Sequence, residues 1–109
     1  MLVITHELFM KSQPADVRIE IRVYQPIKLD RNWGCRYEVD WPEGSKVTIA
    51  YGLDALQALL SALKMIGSEL YTSTYHADRS LRAYDREDGY GFPVPHNLRD
   101  MLIGVDALI

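Results

Sequence analysis

Alternation of apolar and polar residues in the first half of the chain predicts four β-strands. Apolar side chains occupy every second position of residues 16–24 and 33–41, the pattern of a strand buried on one face. A less regular apolar run predicts a first strand over residues 2–11, and Val47, Ile49 and Tyr51 continue the pattern in a fourth. Each gap between these segments contains a proline, which favours turns. Because consecutive strands with short links usually pair, we expect an antiparallel meander.

After Gly52 the spacing of apolar residues changes from every second position to the three- and four-residue spacing of a helix. The segment that follows predicts one long helix. Six apolar residues follow helical spacing: Leu56, Leu59, Leu60, Leu63, Ile66 and Leu70. Asp54 and Gln57 have the spacing of a capping box, so we expect the helix to begin at residue 53 or 54 and to end near residue 71. Alanines fill much of the remaining helix surface. A helix this apolar needs cover on more than one side.

Together these elements predict a single α+β domain over residues 1–109. We expect a four-stranded antiparallel meander packed on one long apolar helix, with the odd-numbered apolar strand residues facing the leucines. A C-terminal extension follows, in which we expect a short strand over residues 80–84 and a short helix that Asn97 caps. Either this extension or a second molecule must cover the remaining apolar helix surface.

The composition is that of an ordinary globular protein, with 48% hydrophobic and 25% charged residues. The net charge of −3 argues against a domain that binds nucleic acid by neutralising phosphates. Cys35 is the only cysteine, so no intramolecular disulfide can form, and a reducing compartment is favoured. The longest apolar stretch, around residues 53–66, is too short to span a bilayer. We therefore expect a soluble cytoplasmic protein without nucleic-acid or membrane partners.

Candidate binding residues concentrate in the last third of the chain. They are His76, Asp78, Arg79, Arg86, Tyr90, Phe92 and His96. The pair His76 and Asp78 has the form of metal ligands or of an acid and base, and His96 would have to join them in space. The alternative is a chance pair, because nothing nearby has metal-ligand spacing. We assign no catalytic, cofactor-binding or metal-binding residue and expect no cofactor.

The segment of residues 85–93 mixes charges, aromatic rings and glycines, and is the best sequence candidate for recognition. The structural alternative is a solvated loop that Tyr90 and Phe92 anchor to the core. Cys35 and the tryptophans Trp33 and Trp41 share one strand face, so we interpret them as core residues rather than as a nucleophile or ligand platform.

Three short motifs stand out: Trp33-x-Cys35 in a strand, Gly52-x-Asp54-x-x-Gln57-Ala58-Leu59 at a helix start and the late turn Gly91-Phe92-Pro93. They resemble the motifs of a family of small bacterial proteins, a domain of unknown function. The resemblance extends over about residues 27–93. It implies a shared fold and a bacterial origin, and it implies no activity, substrate or site.

The absence of a catalytic motif favours a protein that is not an enzyme. Our leading hypothesis is a partner-binding protein of antitoxin, immunity or assembly type that uses the surplus apolar helix surface. A structural homodimer is the second hypothesis, with the same surface buried at a two-fold axis. The third is a small-molecule binder or minor enzyme that uses the space between the sheet and the C-terminal loop, where His76, Asp78 and His96 would converge.

Overall fold

The fold is given by a computed structural model, which describes residues 1–83, 89–95, 98, 101–103 and 106. The described elements are β1 Leu2–Met10, β2 Val17–Tyr24, β3 Ile27–Lys28, β4 Trp33–Trp41, β5 Gly44–Gly52, α1 Ala55–Tyr71, α2 Thr74–Ala77 and β6 Leu81–Arg82. The α+β class and the position of the long helix are confirmed.

All six described strands join one antiparallel sheet. β4 lies between β5 on one side and β2 with β3 on the other, while β1 lies between β2 and β6. The prediction of four strands in a simple meander is therefore inexact. β3 and β6 are two residues long, which is too short to show alternation. β6 confirms the short strand predicted within residues 80–84, whereas the predicted cap Asn97 lies outside the described residues.

The inner face of the sheet carries the core. Its fully buried strand residues include Leu8 of β1, Ile19, Ile21 and Val23 of β2, and Cys35, Tyr37 and Val39 of β4. The odd-numbered face predicted for β2 and β4 is thus correct. The Cys35 thiol donates a hydrogen bond of 3.2 Å to the carbonyl of Tyr24, and burial raises its pKa. Cys35 is a structural core residue, as predicted.

The face predicted for β5 is wrong. Val47, Ile49 and Tyr51 are exposed, and Ala50 is buried in their place. A turn at residues 42 and 43 pairs Trp41 with Gly44, so odd-numbered residues of β4 lie opposite even-numbered residues of β5. Because paired residues of neighbouring strands share a face, the buried side of β5 is the even-numbered one.

The helix α1 has the predicted cap but buries a different stripe. Asp54 accepts a hydrogen bond of 2.7 Å from the backbone N–H of Gln57, whose side chain accepts one from the N–H of Leu53. The stripe against the sheet consists of residues four apart, namely Ala58, Ala62, Ile66 and Leu70. Leu56 and Leu60 are exposed. The small alanines let the helix backbone approach the sheet closely, and this displaces the leucines to the sides and to the outer surface.

A C-terminal segment of residues 89–95 covers the second half of α1. Phe92 and Val94 of this segment are buried in the core. An ideal Cβ at Gly67 would lie 1.9 Å from the carbonyl oxygen of Pro93, so the two backbones meet at that glycine. The segment leaves Leu56 and Leu60 at the start of the helix uncovered. The sequence predicted that either the C-terminal extension or a second molecule covers the remaining apolar surface of α1. The described part of the extension covers only the second half of the helix.

Candidate functional site

The last turn of α1, the short helix α2 and the C-terminal segment meet beside β1 and β6. Ser73 caps α2 and accepts a hydrogen bond of 3.2 Å from the backbone N–H of His76. After α2 the chain reverses at Arg79, which has a φ of 61°. Ser80 closes this turn by donating its backbone N–H to the carbonyl of Tyr75 and to the Asp78 carboxylate, each at 3.0 Å. This turn holds His76 and Arg79 close to the C-terminal segment.

Three aromatic rings, those of Tyr71, His76 and Tyr90, pack against one another at the site. His76 Nδ1 and the Tyr90 hydroxyl share a hydrogen bond of 2.5 Å. The ring centroid of Tyr71 lies 4.8 Å from that of His76, in an edge-on arrangement, and 5.0 Å from that of Tyr90, in a tilted one. Aromatic pairs prefer such arrangements. Burial lowers the pKa of His76, which favours the neutral imidazole.

A buried carboxylate lies behind these rings. Asp106 is fully buried and accepts hydrogen bonds from the Tyr71 hydroxyl at 2.5 Å and from the backbone N–H groups of Tyr90 at 2.7 Å and Gly91 at 2.8 Å. Burial, and then the bond to Asp106, raise the pKa of Tyr71 well above its ordinary value. The Tyr71 hydroxyl also accepts a bond of 3.2 Å from the N–H of Ile103. We call Tyr71, His76, Tyr90 and Asp106 the aromatic–carboxylate cluster.

Glycine is required where the C-terminal segment wraps around this carboxylate. Gly89 has a φ of 105°, and an ideal Cβ there would lie 2.6 Å from the Asp106 carboxyl carbon. Both the backbone conformation and the contact distance exclude a larger residue. The backbone N–H groups of the next two residues can therefore reach the Asp106 oxygens.

β1 contributes His6 to the other side of the C-terminal segment. His6 Nε2 lies 3.0 Å from the carbonyl oxygen of Tyr90, and its ring contacts Phe92 edge-on with centroids 5.3 Å apart. The segment is thus attached both to the sheet and, through Asp106, to α1.

A cavity of about 380 Å³ opens next to the cluster. It is lined by His76, Ala77, Arg79, Leu81, Tyr90 and Ile103. The Arg79 side chain is exposed, and within the described part of the chain no hydrogen-bond acceptor or carboxylate pairs with it. The cavity therefore combines a cationic rim with apolar and aromatic walls.

The structure brings three of the seven candidate residues together: His76, Arg79 and Tyr90. Asp78 bonds to the N–H of Ser80 instead, and Phe92 is a core residue. Arg86 and His96 lie outside the described residues, so the predicted convergence with His96 stays a prediction. Among the residues that the structure describes, no three His, Cys, Asp or Glu side chains are grouped as a metal site would require.

Sequence reasoning missed Tyr71 and Asp106. In the sequence, Tyr71 is one more apolar residue at the end of the helix. Its hydroxyl donates a hydrogen bond to a residue 35 positions away, which the sequence does not show. A signal was present for Asp106, which is the only charged residue of the apolar run 101–109. A lone carboxylate in such a run is a candidate for burial with hydrogen-bond donors.

A second feature is an exposed apolar surface on the outer face of the sheet. Val47, Ile49 and Tyr51 project from β5 and are 58%, 45% and 54% exposed. We call these three residues the β5 surface. It adjoins a groove of about 300 Å³, whose apolar lining includes Met1, Ile27, Leu29 and Ile49.

The described residues form a small α+β domain in which a six-stranded antiparallel sheet and a long helix are joined by a C-terminal segment. The chain belongs to the family described as a domain of unknown function, DUF6968, whose model matches residues 4–94. The three motifs predicted membership of a family described as a domain of unknown function, and this prediction is confirmed. Neither a curated protein nor a solved structure gave a significant match. Within the described part of the chain, no helix has the length and hydrophobicity needed to cross a membrane.

Proposed function

We propose that this chain is a protein-binding domain that pairs with a second copy of itself through strand β5. One observation carries the proposal: a nine-residue strand at the edge of the sheet bears three exposed apolar side chains, the β5 surface. In the part of the chain that the structure describes, β5 pairs with β4 alone.

An open strand edge is a binding site for another strand. Its unpaired N–H and C=O groups form new backbone hydrogen bonds, and alternate side chains contribute specificity. Proteins usually protect such edges with charges, prolines or bulges. β5 contains no proline, and its one charged residue, Lys46, forms an ion pair with Glu69 of α1. As far as the described residues go, the edge therefore has neither a proline nor an uncompensated charge to oppose pairing.

The side chains of β5 favour burial over exposure. Transferring a large apolar side chain from water to an interface contributes about 1.5–3 kcal/mol when burial is complete. Three such residues stand side by side on one face, next to the groove that Ile27 and Leu29 line. Contiguous exposed apolar patches of this kind mark interaction surfaces.

A second copy of the chain fits this edge because antiparallel strand pairing is compatible with two-fold symmetry. Two β5 strands related by a two-fold axis would each present the same residues to the other, as in most homodimers. Lys46 is already paired with Glu69, so its charge is compensated on each copy. The result would be one continuous sheet across two molecules.

The helix patch at Leu53, Leu56 and Leu60 is the competing surface. Leu56 is 65% exposed, and the sequence predicted partner binding through this apolar helix surface. The helix patch offers apolar side chains, whereas the β5 edge also offers a row of backbone N–H and C=O groups along a nine-residue strand. We therefore favour the β5 edge and use the helix patch for comparison.

Sedimentation velocity over a concentration series tests the proposal. We expect a monomer–dimer equilibrium for the wild type and a shift to monomer for Ile49→Lys, because a buried ammonium on the β5 surface opposes pairing. Val3→Lys is the matched control, since Val3 is 55% exposed on β1, and we expect it to dimerise like the wild type. Circular dichroism should show the same fold for all three proteins.

Two outcomes would overturn the proposal. One is a wild-type monomer at every concentration. The other is a dimer that Leu56→Lys dissociates and Ile49→Lys leaves intact, which would move the interface to the helix patch.

A further inference from the structure

We infer that the cavity beside the aromatic–carboxylate cluster binds a small organic carboxylate, whose negative group pairs with Arg79 and whose apolar body lies against Leu81 and Ile103. This inference concerns a site on the β6 side of the sheet, while β5 forms the opposite edge. It therefore goes beyond the proposed function and is tested separately.

Arg79 is held in place at the cavity by its backbone. Its φ of 61° is uncommon for a residue other than glycine, and its N–H bonds to the carbonyl of His76 at 3.0 Å. Backbone conformations of this kind persist where the surrounding structure maintains them, and they concentrate at binding sites. The closed turn thereby fixes the backbone from which the Arg79 side chain lines the cavity.

The charge of Arg79 is available to a ligand. Arg82, three residues further on, is neutralised by Asp16 at 2.6 Å, whereas Arg79 has no such partner among the described residues. A planar guanidinium binds a carboxylate through two parallel hydrogen bonds, a geometry that an ammonium group cannot reproduce. An anion with two equivalent oxygens is the group that this rim fits.

Asp106 and Asp78, two described carboxylates of this region, are engaged elsewhere. Asp106 accepts hydrogen bonds from Tyr71 and from two backbone N–H groups, and it does not line the cavity. Asp78 bonds to the N–H of Ser80 and is likewise absent from the lining. Neither acid therefore occupies the position of an incoming anion beside Arg79.

The walls require an apolar body on the ligand. Ala77, Leu81 and Ile103 supply aliphatic surface, and the rings of His76 and Tyr90 supply flat surface. A volume of about 380 Å³ falls in the range of small-molecule sites, about 300–1,000 Å³. A bare inorganic anion would leave these walls in contact with water, whereas an aliphatic or aromatic acid would cover them.

Titration of the full-length, isotope-labelled protein followed by NMR tests this site. The probes are benzoate, butyrate, acetate and the neutral benzamide. We expect benzoate and butyrate to shift the NMR signals of the backbone amides of His76, Arg79 and Leu81 saturably. Acetate and benzamide should bind at least about tenfold more weakly, the ratio that a difference of about 1.4 kcal/mol in binding free energy produces. Acetate lacks the apolar body, and benzamide lacks the charge.

Arg79→Gln should weaken benzoate binding at least about tenfold, because it removes the charged partner of the carboxylate. Arg31→Gln is the matched control: Arg31 is exposed in the loop before β4, has no ion pair among the described residues, and should leave binding unchanged. Thermal unfolding of both variants checks that they remain folded.

The inference is overturned if none of the four probes shifts the cavity amides saturably, or if benzamide binds as tightly as benzoate. Equal losses in Arg79→Gln and Arg31→Gln would also overturn it, since they would indicate a general effect of charge. Binding of benzoate to a β5 variant that no longer dimerises would show that the two proposals stand independently.

Discussion

At Gly67 the backbone of the C-terminal segment comes very close to that of α1. Replacing glycine by alanine in a helix interior ordinarily stabilises the helix by about 1 kcal/mol. Here the new Cβ would lie 1.9 Å from the carbonyl oxygen of Pro93, so the segment would have to move away. We expect Gly67→Ala to lower the free energy of unfolding by about 1–3 kcal/mol, the cost of overpacking a core, in urea denaturation.

Lys64→Ala is the control for that experiment, because Lys64 is exposed on the same helix and its replacement should leave the midpoint nearly unchanged. A Gly67→Ala protein more stable than the wild type would mean that helix propensity prevails and that the segment does not pack on the helix as described.

The residue scale also shows which parts of the site a sequence can reveal. His76, Arg79 and Tyr90 were predicted as candidates because histidine, arginine and tyrosine in a polar stretch carry recognisable chemistry. Tyr71 and Asp106 were missed because each becomes functional only through the other, and their contact spans 35 positions. Side-chain type is local information, whereas hydrogen-bond partnership across the chain depends on the fold.

At the scale of elements, Arg22 connects two strands on the outer face of the sheet. Its guanidinium donates hydrogen bonds of 2.8 Å to both oxygens of Asp40 and one of 3.0 Å to Glu38. The hydrogen bonds from Arg22, and after them the bond from Ser45, lower the pKa of Asp40 to about 2. The pKa of Glu38 is also lowered, chiefly by its hydrogen bond with Tyr24 and then by Arg22.

A carboxylate whose folded pKa is depressed contributes stability above its unfolded pKa and loses that contribution as the pH falls through the folded value. For Asp40 the window therefore extends from about pH 4 down to about pH 2. We expect the free energy of unfolding of the wild type to fall across this window and that of Arg22→Gln to fall less. At pH 7 the variant should be less stable by about 1 kcal/mol, since the groups are partly exposed to solvent.

Urea denaturation at pH 7, 4 and 2 measures the difference, and Arg31→Gln serves as the control for loss of one positive charge. Parallel pH profiles of wild type and Arg22→Gln would show that the Arg22 contacts do not control the acid sensitivity.

β5 shows where sequence reasoning about elements fails. Its alternation correctly predicts a strand, because Val47, Ile49 and Tyr51 recur every second residue. Which face is buried depends on the register with β4, and a turn at residues 42 and 43 sets that register by pairing Trp41 with Gly44. Amphipathic alternation favours burial of the more apolar face, but the turn overrides that preference here. The apolar residues that result on the outside are those of the proposed binding surface.

At the scale of the whole molecule, residues outside the family match contact the sheet and helix that lie inside it. The family match ends at residue 94, yet Asp106 binds both α1 and the C-terminal segment. The element order and the long helix could be predicted from periodicity. The path of the last third could not, because it is set by buried hydrogen bonds rather than by a repeating pattern.

This arrangement makes Asp106 one of the residues that hold the C-terminal segment to the domain, together with His6 and the buried Phe92 and Val94. Asp106→Ala would remove an acceptor from the Tyr71 hydroxyl and from the backbone N–H groups of Tyr90 and Gly91, and the loss of the acceptor of a buried donor such as the Tyr71 hydroxyl costs about 1–3 kcal/mol. We expect local opening of the segment before the sheet unfolds, because its amides depend on a side chain while those of β2 and β4 bond within the sheet.

Amide hydrogen exchange resolves the two levels of stability. In Asp106→Ala the amides of Tyr90 and Gly91 should exchange at least about tenfold faster than in the wild type, which corresponds to a loss of about 1.4 kcal/mol of local protection, while those of β4 keep more of their protection. Asp16→Ala, which removes a carboxylate paired with Arg82 at the surface, is the control and should leave both sets unchanged. If amide exchange in Asp106→Ala is accelerated equally in β4 and at Tyr90, the segment and the sheet unfold as one cooperative unit. Asp106 would then stabilise the whole domain rather than the attachment of one segment.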